Sequence, residues 1–214
     1  MRLIPLIATA LSLIVFASPS FAQDWIEYES RADSFSVNFP GEPRVRDISY
    51  RTEYDQALPA RVYSREEGKD RYSVTVVDYT NLEKMEAERV RKCKTAGGDG
   101  DTCNDHSSTD LRGAIIYATW NLFQKGAKLT FFSYSNVDRV EGHELQFASA
   151  DGSRTFASIH MHENRLYIME GTVPAGSPPP ALFQQSLGFL DKDGKRVRYA
   201  TPYSNGFPPP PRDR

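Results

Sequence analysis

Residues 128–173 constrain the fold more than any other part of the chain. Over 128–137, 143–150, 154–162 and 165–173 the sequence is rich in β-branched and aromatic residues with polar ones between. A period of two is the signature of strands. Asp151-Gly152 and Glu163-Asn164 separate the last three segments, and both suit two-residue hairpin turns. An antiparallel sheet is therefore expected here. Its strands are apolar on both parities, with Phe147, Phe156 and Tyr167 on one face and Ile159, Met161, Leu166 and Ile168 on the other. A sheet covered on both faces accounts for that.

Upstream, 25–29 and 35–39 read as short strands, and Pro40-Gly41-Glu42-Pro43 forces a turn. Segments 44–51, 60–65 and 72–77 continue the strand pattern. The period then changes. Thr80 and Glu83 fit a capping box, and Leu82, Met85, Val90 and Cys93 form one helical stripe, so a helix is expected to about Lys94. A second helix is expected over 110–124, although Ile115-Ile116-Tyr117 also suits a strand, and a short one over 178–187. Strands in runs with a few helices between them indicate α+β. One domain is expected over 23–190. The remainder, 191–214, is charged and ends FPPPPRDR, which reads as a disordered or polyproline II tail.

Residues 1–22 have the three parts of a secretory signal. Arg2 is basic, 3–17 are largely apolar, and Ser20-Phe21-Ala22 offers small residues for cleavage. The mature chain is expected to begin at Gln23 and to work in the periplasm or outside the cell. It holds no transmembrane segment, since no later stretch approaches the roughly 20 apolar residues of a span. Losing Arg2 leaves 25 basic residues against 28 acidic, a net charge of −3. That balance argues against a nucleic-acid partner, which would select a basic face. Only Cys93 and Cys103 are present, and in an exported protein the pair reads as a disulfide.

Trp25, the run Phe35-Ser36-Val37-Asn38-Phe39-Pro40-Gly41-Glu42-Pro43, Gly142-His143-Glu144, Arg165-Leu166-Tyr167, and Phe183 with Leu187-Gly188-Phe189 together resemble the PsbP/Mog-like superfamily, in particular its small exported bacterial members. The resemblance spans roughly residues 25–190. It implies an α/β/α sandwich around a mainly antiparallel sheet and a mainly non-enzymatic, accessory role. None of the binding residues of the named relatives can be matched here.

No reaction is written in the motifs. His143-Glu144 and His162-Glu163 begin like zincin motifs, but Phe147 and Leu166 stand where the second histidine belongs. No G-x-S-x-G elbow occurs. Gly97-Gly98-Asp99-Gly100 follows a helix and lacks the P-loop lysine. Asp99, Asp101, Asn104 and Asp105 lack the alternation of a calcium loop. If Asp151-Gly152 and Glu163-Asn164 are both two-residue loops, His143 pairs with His160, and Tyr167 lies opposite His160. His143, His160, His162 and Tyr167 then share one face, as a polar sheet end or a speculative metal or anion site. The expected function is an exported, non-enzymatic accessory module engaging a protein partner, without a cofactor. A small-ligand or metal carrier is the alternative, and an enzyme with an unrecognised site the third reading. A flat exposed apolar patch favours the first, an enclosed apolar pocket the second.

Overall fold

A computed structural model describes residues 25–212. The leader expected at 1–22 and its expected cleavage site lie outside them. In chain order the elements are β1 (Trp25–Ser30), β2 (Phe35–Pro40), β3 (Arg44–Arg51), β4 (Ala57–Glu67), β5 (Asp70–Asp78), α1 (Leu82–Thr95), α2 (Ser107–Phe123), β6 (Lys128–Val137), β7 (Val140–Ala148), β8 (Arg154–His162), β9 (Arg165–Val173), α3 (Ala181–Gln184), β10 (Gly188–Leu190) and β11 (Arg196–Val197). Seven strands form one antiparallel sheet in the order β3-β4-β5-β9-β8-β7-β6, and four form a smaller sheet, β1-β2-β10-β11. The α+β class is the one the sequence indicated.

Two cores explain the apolar residues on both parities. On one face of the large sheet, Leu82, Ala114, Ala118 and Leu122 of the helices pack on Leu145, Ile159 and Leu166. On the other, Phe35, Val37 and Phe39 of β2, with Phe183 and Phe189, pack on Tyr63, Val74, Tyr167 and Met169. Strands β8 and β9, at the middle of the stack, are accordingly almost wholly buried. Helices thus cover one face, while the small sheet and the single turn of α3 cover the other. The helix expected over 178–187 shrinks to Ala181–Gln184 because Pro178, Pro179 and Pro180 lack donors and hold the backbone extended. The capping box does not form either. Asp78 accepts the Thr80 N–H, and α1 starts after Asn81 without a side-chain cap.

The disulfide joins Cys93 near the end of α1 to Cys103 ahead of α2, with Cα atoms 5.6 Å apart. It fastens the loop between the helices, as expected.

The tail corrects the sequence reading. The domain does not end at 190, and 191–212 is neither detached nor without contacts. β11 pairs with β10, Tyr203 bridges to Val140, and Tyr199 bridges to Arg212. Val197, Tyr199 and Tyr203 are buried, and the two tyrosine rings stack at 4.8 Å. Charge and proline dominate the tail's average composition, but three well-spaced apolar side chains decide where it goes. Tyr203→Ala should destabilise the fold by about 3 kcal/mol, the scale of a buried aromatic deletion. Urea unfolding measures this, and a loss under about 0.5 kcal/mol, the range of an ordinary surface substitution, would show that the tail is not docked.

Candidate functional site

The histidine cluster depends on two turns, and only one has the expected length. At Glu163-Asn164 both residues are left-handed, with φ of 45° and 60°, and His160 faces Tyr167 as expected. At Asp151-Gly152 the loop is one residue longer. Gly152 donates to Ser149 O at 3.0 Å, Ser149 donates to Ser153 O at 2.9 Å, and Gly152 takes φ +80°. This is a three-residue loop closed by a left-handed glycine. It pairs Gly142 with His160 and His143 with Ile159. A slip of one residue turns a whole strand over. His143 and Phe147 therefore face the helices, while His160, His162, Tyr167 and Phe156 stay on the other side.

The four residues thus do not meet. Thr119 donates its hydroxyl to Ile115 O, so its oxygen accepts the Nδ1–H of His143 at 2.8 Å. His160 is fully buried with its ring against Gly142, where any Cβ would collide with it. Its Nδ1 donates to Val140 O at 3.2 Å, and its Nε2 has no protein partner. His162 Nε2 bonds the Tyr199 hydroxyl at 2.8 Å, and its ring lies 4.6 Å from Phe189 and 5.0 Å from Tyr203. Burial lowers the pKa of His160 to about 4 and that of His162 to about 3, so both are neutral in ordinary conditions. Among the described residues no three metal-ligating side chains converge.

Beside His160 opens a polar cleft of about 340 Å³, lined by Glu144, Ser158, Gln184 and Arg196 among others. Gln184 bonds Glu144 at 2.7 Å, and Arg196 pairs with Asp138 at 2.8 Å. Four of the lining side chains thus pair with one another rather than converge on a point. The acidic loop behaves similarly. Asp99 accepts from the Asp101 and Thr102 backbone, and Asp105 accepts the Ser107 N–H at the start of α2.

Sequence reasoning missed two buried carboxylates at the junction of α1 and α2. Glu86 is held by Arg89, Gln56 and the His106 N–H, and the Arg89 and His106 bonds keep its pKa low despite burial. Asp110 accepts from Thr52, and burial raises its pKa. Together they fasten the 52–56 loop to both helices. The signal was present: Glu86 stands one turn after Leu82, on the buried stripe of α1.

The surface feature of note is the β6 edge of the large sheet. Leu129, Phe131, Phe132 and Tyr134 are 40–59% exposed, and beside them Ile116 and Trp120 of α2 are 67% and 57% exposed. Trp120 follows Ile116 at i+4 and Phe123 closes the stripe at i+7. Phe123 meets Phe132 edge-on at 6.0 Å, and Phe132 meets His143 at 5.1 Å. The helix flank and the strand edge are therefore one continuous apolar surface.

No family model matches the chain, and no curated protein does. Among solved structures it is similar to the solution structure of cyanobacterial PsbP (CyanoP) from Synechocystis sp. PCC 6803, at 15% identity and a TM-score of 0.39, with 74% of this chain and 84% of that chain covered.

The buried histidines set a pH dependence. Both have pKa values depressed below the unfolded value near 6.5, so the unfolded state binds more protons as the pH drops. Stability should fall between about pH 6.5 and pH 4, each histidine contributing a slope of about 1.4 kcal/mol per pH unit. Urea midpoints for wild type and His162→Phe across this range measure it. The variant should show the shallower dependence, and parallel curves would show that His162 is not buried as a neutral ring.

Proposed function

We propose that the chain is an exported, non-catalytic accessory module of the cell envelope that works by contact with another protein. The observation that carries this reading is the continuous apolar surface from Ile116 and Trp120 to Phe132 and Tyr134. Side chains this large and this exposed, side by side, mark contact surfaces. The Cys93–Cys103 bridge and the leader pattern at 1–22 support an oxidising compartment outside the cytoplasm. We read the layering as a variant of the α/β/α sandwich in which the small sheet with α3 replaces the second helical layer.

The cleft beside His160 favours a second reading, a carrier for a small polar ligand, because the His160 Nε2 acceptor is buried without a partner. Four of that cleft's lining side chains already pair with one another, so this reading ranks below the first.

Two measurements test the proposal. Intact mass of the protein recovered from its host should correspond to a chain beginning at Gln23; a mass retaining Met1–Ala22 would end the export reading. A photo-crosslinking residue at Trp120 or Tyr134 should give a discrete adduct in cells, lost when Phe132→Lys is added and absent when the probe stands at Glu67. Adducts that are the same from all three positions, or none at all, would overturn it. Loss of adduct on His160→Gln with Phe132→Lys silent would favour the carrier reading.

A further inference from the structure

We propose that β6 is a self-pairing edge, and that two copies of the chain join there into one continuous antiparallel sheet. This rests on reading the β6 surface as a protein-contact surface, and it names the partner as a second copy.

The two edges of the large sheet differ. β3 carries Arg44, Arg46, Asp47 and Arg51 in eight residues, the kind of charge that blocks edge-to-edge pairing. β6 has no charged side chain from Leu129 to Val137. It is also apolar on both faces. Phe132 and Tyr134 pair with Leu145 and His143 on the helix side, and Phe131 pairs with Gln146 on the other. A helix or a flat protein surface would cover one of these faces. A strand added in the plane of the sheet pairs the edge and flanks the side chains of both faces, and it suits β6 best if it is itself uncharged with aromatic side chains on both faces. β6 meets that description.

The register follows from the backbone. Asp138 and Arg139, with φ of 48° and 69°, make a two-residue turn, so Val137 and Val140 are the closing hydrogen-bonded pair. Alternation then leaves the N–H and C=O groups of Phe132, Tyr134 and Asn136 pointing away from β7. The irregularity between Leu129 and Phe131 ends the regular edge on the other side. Two copies related by a two-fold axis at Ser133 place Phe132 opposite the second copy's Tyr134, and the reverse, each pair exchanging two backbone hydrogen bonds. A register centred on Tyr134 would instead set Phe132 against Asn136 and keep one aromatic pair, Tyr134 against its own copy, in place of two. At the axis, Ser133 opposes its own copy as a non-hydrogen-bonded pair, with Cα atoms about 4.5 Å apart.

Sedimentation of the mature chain over a micromolar to submillimolar range should show a monomer–dimer equilibrium. Tyr134→Lys should weaken it about tenfold or more, while thermal unfolding at concentrations where both proteins are monomeric stays unchanged, since that side chain is 59% exposed. Ser133→Cys should form a covalent dimer under mild oxidation. Ser135→Cys should not, because its two copies lie beyond the roughly 7 Å Cα reach of a disulfide. A monomer at every concentration, or crosslinking through Ser135→Cys and not Ser133→Cys, would overturn the proposal. A monomer in solution that still gives a Trp120 adduct with a different protein in cells would overturn self-pairing alone and leave the accessory role standing.

Discussion

The register of the β7–β8–β9 ladder is the constraint on which the rest of the molecule depends. These strands are covered on both faces, so every side chain in them belongs to one core or the other. Two turns set the assignment. Glu163-Asn164 fixes β8 against β9, and the loop closed by Gly152 fixes β7 against β8. Were the second loop one residue shorter, His143 and Phe147 would face the small sheet and Glu144 would be pressed under α2. The helical layer depends on this register, because α2 is anchored by the Thr119–His143 bond and by Phe123 against Phe147.

The same register buries two imidazoles. His160 fits because Gly142 stands opposite it and gives its space to the ring. His162 fits because Phe189, Tyr199 and Tyr203 close around it, two of them from the tail. Each ring makes one polar contact and is otherwise packed like an aromatic hydrocarbon. Ionising either would leave a charge in an apolar core without a counter-ion, which is why both pKa values fall.

The edges of the large sheet follow from what the layers can reach. α2 packs mainly over β7, β8 and β9 and reaches β6 through Phe123 on Phe132, leaving much of β6 exposed. β3, also at an edge, is guarded by charge, whereas β6 is aromatic. That uncovered aromatic edge is the observation on which the proposed contact role rests.

Much was legible in the sequence alone, and for local reasons. The bounds of β3, β6, β8 and β9, the turn at Glu163-Asn164, the Cys93–Cys103 bridge and the α+β class rest on residue period, turn chemistry or spacing, which act over a few positions. What failed depended on distant partners. Asp-Gly is compatible with loops of two or three residues, and the choice between them was made by which faces of β7 the helices and the small sheet could fill. Tyr199 and Tyr203 looked like members of a solvated tail until β10 and the β8–β9 turn offered them a place to bury. Glu86 and Asp110 became core residues only once Arg89, Gln56 and Thr52 were folded beside them. The sequence by itself determined most strands of the large sheet, the staple and the class of fold. The faces, the docked tail and the exposed aromatic edge were decided by tertiary structure, because burial is a property of contacts between segments far apart in the chain.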